Sequence, residues 1–154
     1  MTSTINIAAN SDDWRGVALS NFCLSPFVLD GVLIASVEGF IQGIKFPPSD
    51  PVRALAFTAY GFAAKELSAR AKGQSIWWGD ETHDYASWGH LALIERAIRA
   101  RIAQNSGLQA ALLSTVTATI VHKTGVPESS KTSLKTADFC RIMTSIRHDL
   151  SSAA

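Results

Sequence analysis

Cysteine is scarce in this chain of 154 residues: Cys23 and Cys140 stand alone, with no Cys-x-x-Cys or Cys/His grouping. That spacing argues against a disulfide framework or a zinc site, and both thiols are expected to be reduced and buried. His83, His90, His122 and His148 are equally dispersed, with no two at ligand spacing on one helix face, so no metal is expected. Charge of either sign is not in surplus, since 14 basic and 13 acidic side chains leave a net +1. The bulk electrostatics therefore demand no polyanionic partner. No apolar run approaches the roughly 20 residues of a membrane span. Met1 to Asn10 lack the basic start and continuous apolar stretch of a signal peptide. A cytoplasmic protein with no membrane partner is expected.

With 47% hydrophobic and 18% charged residues, the chain has the composition of a globular protein, and its length fits one domain over 1–154. The most informative stretch is 19–46. Phe27-Val28-Leu29 and Val32-Leu33-Ile34 are two β-prone runs separated only by Asp30-Gly31, a dipeptide that tolerates positive φ at both central positions of a type I′ turn. Ser36 follows as a helix N-cap, and Glu38 in the first turn suits the helix dipole. The spacing predicts a helix over 36–45 with Val37, Phe40, Ile41 and Ile44 as its core stripe. Glu38, Gln42 and Lys45 form a second row beside that stripe. Glu38 and Lys45 lie roughly 10 Å apart along the axis, too far for the usual close helix pair. Gly39 and Gly43 each weaken so short a helix by roughly 1 kcal/mol relative to alanine, which implies close packing against them.

Along the rest of the chain, Thr4 to Ala8 reads as a short strand, and Trp14 as a core aromatic or a wall of the site. Asp50-Pro51 reads as cap and first residue of a helix over 50–59. A second helix over 61–71 would turn Phe62, Ala63 and Leu67 inward and Lys65, Glu66 and Arg70 outward. Residues 73–82 read as a loop with Trp77 and Trp78 adjacent: either at least one is exposed or lines a pocket where its face can stack a base, or one sits in the core with the other as a lid over it. A long helix from His83 or Ser87 to Gln104 would bury Trp88, Leu91, Leu93, Ile94, Ala97, Ile98, Ile102 and Ala103. Arg96, Arg99 and Arg101 would make a solvated basic edge, with Glu95 pairing to Arg99. A short helix over 108–113, a strand over 115–121 and a final helix over 136–150, with Phe139, Ile142, Met143, Ile146 and Leu150 inward, complete the reading. The fold class is α+β, predominantly helical, with a small sheet or hairpin.

Ser20-Asn21-Phe22, Pro26-Phe27, Asp30-Gly31, Glu38, Gln42 and Lys45-Phe46 stand in the register of the NADAR family's signature, and the chain resembles that family, to which the YbiA-type N-glycosidases belong. Trp88 and the run from Ala97 to Asn105 resemble its second block, with Arg101 and Ile102 in place of lysine and phenylalanine. The chain departs from the pattern at Gly39, where the family has histidine, and at Ile41, where it has an aromatic residue. After His122, the family's Trp-Gly segment is missing, and Trp78-Gly79-Asp80 is a candidate for the same space. The resemblance implies hydrolysis of a ribosyl–nitrogen bond without a cofactor. Glu38 and Lys45 are its implied catalytic pair. The carboxylate would stabilise the growing positive charge or activate water, and the lysine would protonate the leaving group or form a Schiff base. Ser20, Asn21, Phe22, Gln42, Arg70, Trp78, Asp80 and Trp88 are the candidate substrate contacts. The expected partner is a phosphorylated, ribosylated small molecule, with nucleic acid entering only as a modified substrate. Two alternatives stay open, a hydrolase of the same family that removes ADP-ribose from guanine in nucleic acid or from another macromolecule, and a non-catalytic nucleotide-binding relative; nothing in the sequence speaks to oligomeric state.

Overall fold

The computed structural model describes residues 3–153. The chain forms two compact units, one from Asn21–Arg101 and the other from the two ends, up to Ser20 and from Ile102 onward.

In the terminal unit, β1 (Thr4–Asn6) pairs in parallel with β6 (Thr119–Val121), joining the two ends of the chain. Helix α1 (Trp14–Leu19) packs on α6 (Ser106–Ser114), and α7 (Thr136–Ala153) packs on both α6 and β6. Phe139, Ile142, Met143 and Ile146 are buried on α7, the stripe that the sequence marks. Arg147 donates to Thr115 Oγ1 at 2.8 Å and to the Ala118 carbonyl at 2.9 Å. Those bonds hold 115–118 outside the sheet, so the strand is shorter than the β-branched run suggests. Val116 also takes φ +53, a left-handed conformation that interrupts an extended chain. Trp14, expected in the core or a site wall, is 72% exposed.

The central unit begins with the hairpin β2 (Phe27–Leu29) and β3 (Val32–Ile34), paired antiparallel. Asp30 and Gly31 take φ +47 and +81 at its turn, as a type I′ turn requires. Helix α2 (Val37–Gly43) is capped by Ser36, whose Oγ accepts from the Gly39 N–H at 2.9 Å and donates to the Ala59 carbonyl at 2.8 Å. It packs on α3 (Pro51–Phe57) and α4 (Gly61–Glu66). The two glycines permit that approach: a Cβ on Gly39 would strike the carbonyls of Ala56 and Ala59, and one on Gly43 would enter the Phe57 ring. Asp50 caps α3 with Pro51 at its first turn.

Residues 73–82 are not a loop. They belong to a second hairpin, β4 (Ser75–Trp78) and β5 (Glu81–Asp84), whose turn uses Gly79 at φ +55. The Trp77 N–H donates to the Ile44 carbonyl at 2.8 Å, tying β4 to the end of α2. Arg53 strengthens the same junction, donating to the carbonyls of Phe46 at 2.8 Å and Trp77 at 2.9 Å. Helix α5 (Trp88–Ala103) follows. Two inward assignments fail on α4, where Phe62 and Ala63 are exposed and Ala64 is buried. On α5, Trp88 and Ala103 are exposed, while Arg101, read as part of a solvated edge, is 1% exposed. Cys23 and Cys140 are half-buried free thiols. Among the described residues, no helix is long and apolar enough to cross a membrane.

Candidate functional site

Helix α2 is buried all round. Val37, Phe40, Ile41 and Ile44 fill the core, and the polar row is buried as well, with Glu38, Gln42 and Lys45 at 7%, 3% and 8% exposure. A charged row on a helix normally faces water, so this burial demands a chemical explanation. The Gln42 amide donates to Glu38 Oε1 at 2.8 Å. Burial raises the Glu38 pKa, opposed by the Gln42 bond and by the charges of Lys65 and Lys45. Burial lowers Lys45 to about 8, against the attraction of Glu38 and with the help of Lys65 repulsion. Both groups are thereby moved toward neutral pH, where acid–base chemistry operates. Lys45 Nζ lies 5.9 Å from the centre of the Tyr85 ring. Among the described residues, the ammonium has no hydrogen bond or ion pair.

Asn21 adjoins this row. Its carbonyl accepts from the Glu38 N–H at 3.0 Å, and its buried Oδ1 has no hydrogen-bond partner among the described residues. The same holds for Gln42 Oε1 and for His90 Nε2. Phe22 is half-buried, edge-on to Phe62 with ring centres 5.1 Å apart, and its carbonyl accepts from the Gly61 N–H. Asn21 and Phe22 thus fasten their loop to the starts of α2 and α4. Ser20, in the terminal unit, is buried at the C-cap of α1, where its N–H donates to the Val17 carbonyl.

The remaining candidates lie elsewhere. Trp78 is 3% exposed, edge-on to Phe40 and Phe57 with ring centres 5.1 and 5.9 Å away. Its Nε1 donates to Asp30 Oδ2 at 2.7 Å, an oxygen that also receives Arg96 Nη2 at 2.7 Å. It is a core aromatic. Trp78 and Asp80 border a cleft of about 700 Å³ with Asp30, Arg53, Phe57 and Glu81, and none of Glu38, Gln42 and Lys45 lines it. Arg70 is exposed at the end of a 3₁₀ turn over Leu67–Arg70. Trp88 is 88% exposed at the head of α5. Among the described residues, no cluster of His, Cys, Asp and Glu could hold a metal ion.

Three neighbours of the row escaped the sequence reading. Lys65, assigned simply to an outer face, acts on both Glu38 and Lys45. Tyr85 underlies Lys45, and His90 packs against Tyr85 with ring centres 5.1 Å apart. A signal for His90 exists, because Ser87 caps α5 and its Oγ accepts from the His90 N–H at 3.2 Å. A serine three residues ahead fixes such a histidine in the first helical turn.

Two hairpins, a short helix that begins the buried Glu-Gln-Lys row, and the longer helices α5 and α7 make this an α+β fold. The NMR structure of the E. coli protein YbiA matches with a TM-score of 0.67 over 99% of this chain and 88% of its own, at 22% identity. The resemblance carried by residues 19–46 is thus borne out in the fold. The chain belongs to the family described as Bacteriophage protein GP30.3, whose profile matches residues 13–148. A relative from Enterobacteria phage T4, described as an uncharacterized 17.1 kDa protein in the Gp30-rIII intergenic region, is 31% identical over 148 residues, covering 89% of this chain and 93% of its own.

Proposed function

We propose that the chain is an N-glycosidase that hydrolyses the ribosyl–nitrogen bond of a phosphorylated, ribosylated small molecule, a riboflavin-pathway intermediate or an ADP-ribose derivative. The observation that carries the reading is the burial of Glu38 on α2 and of Lys45 just past that helix's C-cap at Ile44, a shorter helix than the expected 36–45, where folding alone gains nothing from either charge. Unpartnered polar atoms on Asn21, Gln42 and His90 suit a ligand rich in hydroxyls, which both donate and accept. As the bond from the anomeric carbon to nitrogen breaks, the Lys45 ammonium protonates the departing nitrogen. The Glu38 carboxylate stabilises the positive charge on the sugar and takes a proton from the attacking water. The products are the free sugar and the free base; Glu38 releases its proton to solvent, and solvent returns one to Lys45. Gln42 holds one carboxylate oxygen of Glu38 and leaves the other to act.

A second reading, removal of ADP-ribose from guanine in nucleic acid, is favoured by Trp88. Its ring stands exposed two residues before His90 and offers a stacking face to a neighbouring base. A panel of ribosylamino-pyrimidine phosphate, ADP-ribose, NAD, ADP-ribosylated guanosine and an ADP-ribosylated oligonucleotide separates the two. Release of free base or ADP-ribose from the small molecules supports the first, and turnover confined to the oligonucleotide supports the second. A folded protein that cleaves none of them contradicts both.

A further inference from the structure

His90 is 1% exposed and sits in the first turn of α5. Its Nδ1 accepts the Ala86 N–H at 2.9 Å. A backbone N–H can only donate, so Nδ1 carries the lone pair and the ring proton of the neutral imidazole is on Nε2. That buried N–H has no partner among the described residues, a state that destabilises a fold. The donor is nevertheless held with care. Ala86 takes φ +63, which only a constrained alanine adopts, and this conformation accompanies the N–H contact with Nδ1. Ser87 fixes the backbone of His90 from the other side. Burial and the nearby charges of Lys45 and His83 lower the His90 pKa to about 4, so the ring is neutral at physiological pH. The Tyr85 ring lies against both His90 and Lys45 Nζ, which places the imidazole beside the proposed reaction centre.

We propose that His90 is a specificity-determining residue of this site, donating its Nε2–H to an oxygen acceptor of the bound ribosyl compound. The inference rests on the function proposed above. A neutral N–H discriminates in favour of a hydroxyl or carbonyl oxygen and against a ligand that offers only a donor there, because that ligand leaves the N–H unpaired. The contact forms in the ground state as well as in the transition state, so it acts on KM.

Asparagine and glutamine separate the two ring nitrogens. In His90→Asn the amide oxygen can still accept the Ala86 N–H while the distal donor is lost. In His90→Gln the amide nitrogen reaches the place of Nε2. With ribosylamino-pyrimidine phosphate and ADP-ribosylated guanosine as substrates, His90→Asn is expected to raise KM about tenfold with kcat within about threefold, and His90→Gln to restore most of KM. An unchanged KM in a folded His90→Asn overturns the role of His90 and leaves the glycosidase standing. Failure of the folded wild type to cleave any compound of the panel overturns the glycosidase and this role with it. If His90→Asn does not fold, the wild-type Nε2–H resonance decides: it should shift when ADP-ribose binds, and a resonance unmoved by bound ADP-ribose refutes the contact.

Discussion

Glu38 and Lys45 each stay charged only against the cost of burial, and that cost is measurable. Glu38→Gln keeps an acceptor for Gln42 and removes the buried charge. It is expected to stabilise the fold by about 1 kcal/mol while abolishing turnover, as substitutions that relax a strained functional site do. The pH dependence has a defined sign. The folded-state pKa of Glu38 is raised above 4.5, so the native chain binds the extra proton between the two values. Wild-type stability therefore falls as pH rises through that window. Denaturant titrations should find the two proteins close below it and furthest apart above it. For turnover, Glu38 must be ionised and Lys45 protonated. The rate should rise as pH passes the elevated Glu38 pKa and fall above about 8, where Lys45 loses its proton. A Schiff-base route would instead need the free amine, and its rate would climb through the same region. Borohydride is expected to trap no adduct on Lys45.

At the scale of elements, α2 forms against its own propensities. Two of its seven residues are glycine, and they remain because α3 and its following turn stand where side chains would be. Gly43→Ala gains about 1 kcal/mol of helix propensity but drives a methyl into the Phe57 ring, which is itself held by Phe40 and Trp78. Overpacking of this kind costs about 1–3 kcal/mol. A net loss of stability in denaturant titration is the expected outcome, and a more stable variant would show that the ring moves freely.

These packed elements also show what could be read from the sequence. Asp30-Gly31, Ser36 and Asp50-Pro51 act locally, so turn, caps and helix starts were legible. The second hairpin was not: β5 is Glu-Thr-His-Asp, with no apolar alternation, and its turn places glycine before aspartate. Trp78 faces the core and Trp77 is half-buried, as the pleat of a strand requires. Arg101 lies three and four residues beyond Ile98 and Ala97, on the buried stripe, but its charge argued for water. The Glu38, Gln42 and Lys45 row was legible as a row. Its company of Lys65, Tyr85 and His90 was not, because separate elements bring those side chains together.

Across the whole molecule, a net charge of +1 offers no broad field for a polyanion. With a mononucleotide-sized substrate, KM is expected to change less than about threefold between about 50 and 200 mM salt. Binding through many phosphate contacts would instead lose about a thousandfold or more over that range. The family match over 13–148 draws on both compact units, so the full chain is the material for every assay.

The central claim is that the buried row of Glu38, Gln42 and Lys45, on α2 and just past its end, breaks the glycosidic bond. Base release by wild type, Glu38→Gln and Lys45→Met, on whichever compound of the panel the wild type cleaves, tests it most directly. Both variants should retain the wild-type fold and lose at least about a hundredfold in kcat, the scale of a missing general acid or base. A folded Glu38→Gln that turns over at the wild-type rate would place the chemistry elsewhere in the chain.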